Sequence, residues 1–474
     1  MLTKIEARNF KVFGDEGISL PLSPLTMLLG PNGSGKSSFF DAISLISQTA
    51  RNQSAQMGFG WKGDLVDFGL DGSYAFHNRQ ESAPLCIGVT LEANGKTEDL
   101  QGWQRHRKRM PDQHFGIGDL GYRVSYLKQT EEWSHELFAD DCSIARNYVS
   151  VINSIQGYFT VPHLYLDGRV SKYVSDARDR NFREGDRYVP SDYGPKVLSP
   201  GLFYPANVKS GETTTQFDAS IMPKIGTTLG LFVSFIRDLL AERVFVVGAD
   251  RMSSNQTAAE QWAQGERLHV GRHGEHTLSV LSFLLASPDH SAQAEQVKRW
   301  ASIFGLSSLK AGWLGKDGLK AGFQDPQSHT ALQLAHSGFG SQQILPVITQ
   351  LFCSPVGSIV MIEEPEISLH PEAQVQLLRM FADAVESGRQ VLVSTHSPTV
   401  VLSLAEAAKG HHLDPSAVSI FHFSREEGTT ARVQRLQLDE RWFVKGWIPS
   451  FSKVETDLMK QWIATVHDEV ARES

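Results

Sequence analysis

Residues 30–37, Gly-Pro-Asn-Gly-Ser-Gly-Lys-Ser, restrict the fold of this chain more than any other stretch of its sequence. They follow the apolar residues 25–29, which predict a strand, and they precede residues 37–46, whose apolar positions recur at helical spacing. A glycine-rich loop in this context turns its backbone N–H groups inward, and the following helix adds a dipole that favours anions. The stretch therefore predicts a phosphate-binding P-loop.

The P-loop pattern assigns a role to each of its polar side chains. Lys36 is expected to reach the β- and γ-phosphates of a bound nucleotide, and the Ser37 hydroxyl is expected to ligate Mg²⁺. We accordingly predict ATP and Mg²⁺ as the ligands. The predicted nucleotide contacts within this loop are Asn32, Gly33, Ser34, Gly35, Lys36, Ser37 and Ser38.

A second apolar strand, predicted at residues 358–362, ends in the acid pair Glu363 and Glu364. An acid pair at the end of a buried strand beside a P-loop is the Walker B arrangement. Its first acid acts on the metal through water, and its second polarises the attacking water. We assign Glu363 to the metal and Glu364 to catalysis. The usual first acid is aspartate, so the longer side chain of Glu363 has to approach the metal differently.

The next apolar strand, predicted at residues 390–393, leads to His396. A histidine at the tip of a neighbouring parallel strand can contact the γ-phosphate or steady the attacking water, and it can also be purely structural. Its spacing after the acid pair favours the catalytic assignment.

A second loop of phosphate-binding design, Ser-Gly-Phe-Gly at residues 337–340, opens a predicted apolar helix before the acid pair. It combines a hydroxyl, exposed backbone amides and a helix dipole, all of which favour anions. A nucleotide site within one subunit does not need two such loops, whereas a site shared by two subunits does. We therefore predict that Ser337, Gly338 and Gly340 contact a nucleotide bound to another copy of the chain.

The composition limits the class of protein. No apolar stretch approaches the roughly 20 residues of a membrane span, residues 1–6 are not a signal peptide, and the three cysteines show no metal-type spacing. We expect a cytoplasmic protein with no membrane partner. The net charge of -8 argues against a general nucleic-acid coat. Arginine-rich residues 105–109 and 172–187 fit either a solvated face of mixed charge or a surface for DNA or a partner.

Taken in order, these motifs resemble the head of an ABC-class ATPase. Within that class, residues 363–371, Glu-Glu-Pro-Glu-Ile-Ser-Leu-His-Pro, are similar to the OLD-like and AAA-type predicted ATPases of bacteria, relatives of the structural-maintenance-of-chromosomes ATPases. The start Asn-Phe-Lys at residues 9–11 also matches that class, which implies that Lys11 lies near the nucleotide. Residues 66–69 and 271–275 resemble further motifs of this family, and we identify no Q-loop glutamine.

The resemblance covers residues 1–70 and 245–405 and implies an α/β fold, an ABC-type P-loop ATPase head with a mixed sheet flanked by helices and an inserted α-helical or irregular lobe. We assign residues 1–75 and 245–474 to the head and residues 76–244 to an insertion or arm that is β-rich and then helical. It further implies head-to-head dimers that sandwich two ATP molecules, with Ser337 and Gly338 of one subunit capping the γ-phosphate held by the other.

The same resemblance orders the hypotheses about function. OLD-type nucleases carry a TOPRIM domain after the head, but residues 397–474 contain no Asp-x-Asp cluster, so we expect an ATPase without a nuclease domain in this chain. That architecture resembles the ATPase subunits of bacterial anti-phage systems such as PARIS and Septu. It implies a homo-oligomeric sensor or scaffold with a separate effector, a TOPRIM- or HNH-type nuclease. The alternative is a DNA-binding repair or chromosome-type ATPase. The long stretch between the P-loop and the second loop argues against a third hypothesis, a transporter ATPase subunit.

Overall fold

The computed structural model describes residues 1–51, 58–92, 119–139, 142–154, 157–160, 163–166, 187–188, 235–251, 268–313, 318–407, 413–442 and 444–445. Within these ranges the chain forms two large β-sheets, one small sheet and the helices that pack on them. The arginine-rich residues 105–109 and 172–186, proposed above as a DNA or partner surface, lie outside the described residues.

The strands are β1 (Leu2–Arg8), β2 (Ile18–Pro21), β3 (Leu25–Leu29), β4 (Leu85–Glu92), β5 (Asp119–Leu127), β6 (Glu132–Ala139), β7 (Cys142–Ser154), β8 (Gly157–Thr160), β9 (His163–Leu166), β10 (Arg187–Tyr188), β11 (Val244–Val247), β12 (Ser307–Trp313), β13 (Leu319–Gln324), β14 (Ala331–Gln333), β15 (Ile359–Glu363), β16 (Gln390–Thr395), β17 (Val418–Ser424), β18 (Arg432–Leu438) and β19 (Val444–Lys445). The α-helices are α1 (Lys36–Arg51), α2 (Thr277–Ala286), α3 (Ser291–Ile303), α4 (Phe339–Cys353), α5 (Pro371–Glu386), α6 (Pro398–Leu402) and α7 (Leu404–Ala407), and residues 235–243 are also helical. None of the described helices is both long and apolar enough to span a bilayer.

The sheet that carries the P-loop has the strand order β11-β15-β16-β3-β17-β18-β19. Its first five strands are parallel, and β18 and β19 are antiparallel, so the sheet is mixed. Every residue of β3, β15 and β16 is buried, as expected for parallel strands that helices cover on both faces. Because parallel strands end at the same edge, the residues that follow β3, β11, β15 and β16 lie side by side there.

Two hydrophobic cores meet the faces of this sheet. Side chains alternate along each strand, so Leu28 joins one core while Met27 and Leu29 join the other. The first core contains α1 and the inner residues of β1, β4 and β5, and the second contains α2, α3, α4 and α5. The prediction of an α/β P-loop fold with a mixed sheet flanked by helices is therefore confirmed.

The second large sheet is antiparallel and has the order β10-β9-β7-β6-β5-β4-β1-β2, with β8 paired to β7. The sequence predicts short strands at residues 85–91 and 122–126, and β4 and β5 lie there. Strand β1 pairs with β4, so this sheet joins residues on both sides of the domain boundary predicted after residue 75. That boundary stays a prediction.

The alternating pattern of residues 2–13 predicts one strand, and this prediction is wrong in length. Strand β1 ends at Arg8, because Asn9 and Lys11 adopt positive φ angles of 47° and 51°. Phe10 and Phe13 then pair across a tight turn, and both are buried. The apolar residues beyond Arg8 therefore belong to a turn that still faces the core.

Candidate functional site

The P-loop residues connect β3 directly to α1, which begins at Lys36. Gly30 has a φ angle of +144°, and a Cβ atom there would lie 2.2 Å from the backbone oxygen of Phe423 on β17, so only glycine fits this position. The Lys36 ammonium lies inside the loop and donates to the carbonyl oxygens of Gly30, at 2.8 Å, and Pro31, at 3.0 Å. Burial lowers the pKa of Lys36 from 10.5 to about 8. No carboxylate of the described residues forms an ion pair with Lys36, so the loop presents a poorly solvated cation to an anionic ligand.

The predicted metal residues meet at the end of β15. The Ser37 hydroxyl donates to Oε2 of Glu363 at 3.4 Å, across 326 positions of sequence. Glu363 is only 8% exposed, and burial raises its pKa. Among the described residues, no three His, Cys, Asp or Glu side chains form a metal cluster. This is compatible with Mg²⁺, which usually keeps its waters and substrate phosphates and takes only one or two protein ligands.

A chain of charged side chains extends the site from Glu363 to Lys11. The Arg272 guanidinium lies 3.0 Å from Oε1 of Glu363 and 3.5 Å from Oδ1 of Asp41. The other oxygen of Asp41 accepts a hydrogen bond from Lys11 Nζ at 2.5 Å. The Lys11 carbonyl is in turn hydrogen-bonded to the ring of His77 at 2.7 Å, which holds the turn in place. Lys11 therefore lies within the same charged network as Ser37 and Glu363.

The predicted catalytic residues, Glu364 and His396, follow the neighbouring strands β15 and β16. Glu364 adopts a positive φ angle of 45°, and its backbone N–H donates to the Ser394 carbonyl oxygen at 2.9 Å. His396 Nε2 donates to Oε1 of Glu364 at 3.0 Å, and this hydrogen bond lowers the pKa of Glu364. Glu366 ties the two tips together, because its Oε1 accepts from the Thr395 hydroxyl at 2.6 Å and from the His396 backbone N–H at 2.8 Å. The structure thus places an ionised carboxylate and a histidine side by side.

Arg251, which follows β11, lies directly beneath this pair and is fully buried. Its guanidinium donates to the carbonyl oxygens of Gly248 at 2.8 Å, Gln343 at 3.0 Å, Glu363 at 2.6 Å and Glu364 at 3.0 Å. The amide of Gln343 returns a hydrogen bond to the Arg251 carbonyl. The Arg251 side chain therefore joins the end of β11, the end of β15 and the start of α4.

The second predicted loop does open a helix. Gly338 precedes the first residue of α4, and the Ser337 hydroxyl donates to the Leu334 carbonyl at 2.7 Å. A Cβ atom on Gly340 would lie 2.5 Å from the backbone oxygen of Ser368, so α4 packs closely on the turn after the acid pair. No hydrogen bond of the described residues joins Ser337 or Gly338 to the P-loop. These residues stay predicted contacts to a second subunit.

The remaining P-loop residues divide by exposure. Asn32, Gly33 and Ser37 are exposed at the mouth of the loop, whereas Ser34, Gly35 and Ser38 are buried beneath it. The Ser34 hydroxyl oxygen is buried without a hydrogen-bond partner. A mouth of exposed backbone beside a buried ammonium and a hydroxyl–carboxylate pair fits a nucleotide phosphate with Mg²⁺.

Sequence analysis missed three charged residues of this site. Arg272 belongs to residues 271–275, which were matched to the family but given no place in the site. Arg251 follows a predicted strand, and a polar residue at a strand end beside an acid pair is the signal that would have indicated it. Asp41 lies within α1 and gives no such signal.

Comparisons with known proteins agree with this geometry. Residues 154–403 match the family model described as "AAA domain, putative AbiEii toxin, Type IV TA system", and residues 4–149 match a second model, "AAA domain". An OLD nuclease of Thermus scotoductus is 46% identical over 46 residues, which are 10% of this chain and only 8% of that protein.

Similar solved structures include the SMC head domain from Thermotoga maritima, with a TM-score of 0.40 and 12% identity over 92% of this chain and 99% of that one. An Smc head domain with an extended coiled coil from Pyrococcus furiosus gives a TM-score of 0.39 and 12% identity, over 92% of this chain and 96% of that one. The acid pair lies within the residues that the first model matches, and the P-loop lies within those that the second matches. Because the first family model matches more than half of the chain, the chain belongs to the AAA domain family of ATPases.

Proposed function

We propose that this protein binds and hydrolyses ATP with Mg²⁺, and that it acts as an oligomeric sensor or scaffold controlling a separate effector, a nuclease, in bacterial anti-phage defence. The single observation that supports ATP chemistry most directly is the meeting of Ser37 and Glu363 at 3.4 Å. The P-loop lies beside the end of a strand 326 positions further along the sequence, which brings together the residues that we assign to the phosphates, the metal and the attacking water.

The P-loop side of the site would hold the nucleotide. Lys36 would bind the β- and γ-phosphates, since its ammonium is buried and bonded only to loop carbonyls. Ser37 and Glu363 would hold Mg²⁺, directly and through water respectively. Mg²⁺ bound there neutralises charge on the phosphates. Lys11 would contribute further positive charge at the edge of the loop.

The strand-tip side of the site would activate water. The hydrogen bond from His396 holds the pKa of Glu364 below its ordinary value, so the ionised form is favoured further at neutral pH. An ionised carboxylate can orient a water molecule and accept its proton. His396 would keep that carboxylate in one orientation, since its Nε2 lies 3.0 Å from Glu364 Oε1.

A second copy of the chain would complete the site. Ser337 and Gly338 precede α4, where a hydroxyl and helix N-terminal amides can bind phosphate, and neither residue is hydrogen-bonded to the P-loop of its own chain. Phe339, beside them, is 55% exposed despite its size. A head-to-head dimer would bury this residue and close both sites, so the γ-phosphate would control association.

The effector role is supported more indirectly. The matching family model is described by a toxin–antitoxin system, and the short curated match is to an OLD nuclease. The first description joins an AAA domain to a putative toxin, and the second names a nuclease. We infer that a TOPRIM- or HNH-type nuclease on a separate chain is the partner.

Two variants test the proposed ATPase. Glu364→Gln is expected to keep ATP binding, to lose about 100-fold or more in kcat, and to accumulate as an ATP-bound dimer. Lys36→Ala is expected to lose ATP binding. The measurements are phosphate release and size-exclusion chromatography with light scattering, each with and without MgATP. Wild-type kcat in Glu364→Gln would refute the catalytic assignment, and a monomer in MgATP would refute the dimer.

The defence role is tested in cells. The gene expressed with its chromosomal neighbours should lower phage plating, and Lys36→Ala should abolish that protection. A copurifying nuclease is the expected partner. Salt-dependent DNA binding by the ATPase alone, with no effect on phage plating, would instead favour a repair or chromosome-type ATPase.

A further inference from the structure

Arg251 is a buried cation that the proposed chemistry does not use. It is fully buried, and among the described residues its guanidinium donates only to backbone carbonyl oxygens, those of Gly248, Gln343, Glu363 and Glu364. Burial lowers its pKa to about 10, so it remains charged at neutral pH. A charged group in a protein interior is unfavourable unless it is hydrogen-bonded, and the four carbonyls accept from four of the five N–H donors of the guanidinium.

These carbonyls belong to separate parts of the site. Gln343 lies one turn into α4, the helix that Ser337 and Gly338 precede. Arg251 and Gln343 are joined by two hydrogen bonds. The Arg251 guanidinium donates to the Gln343 backbone carbonyl, and the Gln343 side-chain amide donates to the Arg251 backbone carbonyl. A rotation or shift of α4 would therefore move Arg251 with it.

Arg251 also contacts the backbone of the acid pair, Glu363 and Glu364. The backbone of Glu364 is held in the left-handed region by two hydrogen bonds, from its N–H to Ser394 and from Arg251 Nη2 to its carbonyl oxygen. Residues rarely adopt this conformation unless their surroundings enforce it. Arg251 thus sets the direction in which the Glu364 carboxylate leaves the backbone.

We propose that Arg251 is a positioning residue that couples the Ser337–Gly338 loop to Glu364, an inference that rests on the proposed ATPase function. When a nucleotide of a second subunit engages the start of α4, Arg251 transmits the displacement to the acid pair and aligns Glu364 with the attacking water. Arg251 therefore controls the rate of ATP hydrolysis, whereas the P-loop residues determine the affinity for the nucleotide.

The test compares two conservative variants of the full chain. Arg251→Lys keeps the charge but loses the planar fork, so one ammonium cannot bond all the carbonyls at once. We expect kcat to fall about 10- to 100-fold, while the affinity for a fluorescent ATP analogue changes less than about twofold. The matched control is Arg389→Lys. Arg389 is also buried and donates to carbonyls, those of Ser354 at 2.9 Å and Phe352 at 3.2 Å, at the far end of α4. We expect its kcat to stay within about twofold of wild type.

A second comparison shows whether Arg251 acts through Glu364. Residues that act as a unit have non-additive effects, so Arg251→Lys in a Glu364→Gln background should lower the residual rate by less than about threefold. Gln343→Met removes the hydrogen bond from the Gln343 amide to the Arg251 carbonyl, and it should also lower kcat without lowering ATP affinity. This variant replaces Arg251→Lys in the test if Arg251→Lys does not fold. Thermal melting of each variant separates misfolding from misalignment.

Two patterns of loss in the variants would overturn the inference. One is an equal loss of kcat in Arg251→Lys and Arg389→Lys at equal melting temperatures. The other is a fall in ATP affinity as large as the fall in kcat. A wild-type protein that hydrolyses no ATP would instead refute the proposed function, and the coupling with it. Wild-type hydrolysis with an unchanged Arg251→Lys would refute the coupling alone.

Discussion

Alanine substitutions at two P-loop glycines, Gly30 and Gly33, should separate a packing requirement from a purely conformational one. Both glycines have positive φ angles, +144° and +75°. A Cβ atom at Gly30 would lie 2.2 Å from the oxygen and 3.1 Å from the carbonyl carbon of Phe423, which belong to the backbone of β17. A Cβ atom at Gly33 would meet nothing within 4 Å. The two positions therefore share a strained φ and differ in available space.

The expected losses of stability follow from this difference. Gly33→Ala should cost about 1–2 kcal/mol, the ordinary penalty for a left-handed alanine. Gly30→Ala combines a glycine-only conformation, about 1–3 kcal/mol, with a clash against backbone that cannot rotate away, about 1–3 kcal/mol. Its total loss is therefore about 2–6 kcal/mol, a large share of the roughly 5–15 kcal/mol that stabilises a typical domain.

Nucleotide binding should follow the same order. The Gly30 carbonyl accepts a hydrogen bond from Lys36 Nζ, so a displaced Gly30 also displaces the ammonium that would bind phosphate. Urea denaturation of the nucleotide-free variants gives the free energies of unfolding, and titration with a fluorescent ATP analogue gives the affinities. Equal losses in the two variants would show that β3 does not approach β17 as the structure places it.

Two further predictions concern pH. Because burial lowers the pKa of Lys36 to about 8 and phosphate binding needs its charged form, ATP affinity in isothermal titration calorimetry should fall as pH rises above about 8. In Lys36→Arg the guanidinium stays charged, so any ATP affinity that this variant retains should not fall as the pH rises above about 8. An equal fall of ATP affinity in both proteins would show that Lys36 is not the titrating group. His396→Ala should raise the pKa of Glu364 towards its ordinary value, so the acidic limb of the kcat profile should move to higher pH. His396→Gln retains a donor and should move that limb less; identical shifts in both variants would contradict the hydrogen-bond explanation.

Much of the head fold could be predicted because its strands are continuous apolar runs. The strands predicted at residues 25–29, 358–362 and 390–393 are found as β3, β15 and β16, with end points within two residues. The prediction at residues 2–13 was wrong in length, since alternation reports burial and not backbone conformation. Phe10 and Phe13 are buried within a turn, and apolar residues in such a turn resemble a continuation of the strand in the sequence pattern.

The site was predictable only where a motif marked it. The acid pair and His396 follow apolar strands at a recognisable spacing, and the structure places them together. Asp41 has no such mark. Arg251 follows a strand and Arg272 lies within residues 271–275, but their roles depend on which strand ends and loops become neighbours. The contacts of Arg251 join positions 248, 343, 363 and 364, and no local pattern relates those positions to one another.

The sequence alone determined the phosphate-binding loop, the buried strands that lead to it and to the acid pair, and the helix that opens after Gly338. These features follow from local composition and period, which act within about a dozen residues. Only the tertiary structure decided that β16 lies between β3 and β15, which brings Ser37, Glu363 and Glu364 to one edge. It also decided that a buried arginine joins the acid pair to α4. Strand order and buried ionic contacts depend on long-range packing, in which residues hundreds of positions apart become neighbours, and no local window of sequence contains that information.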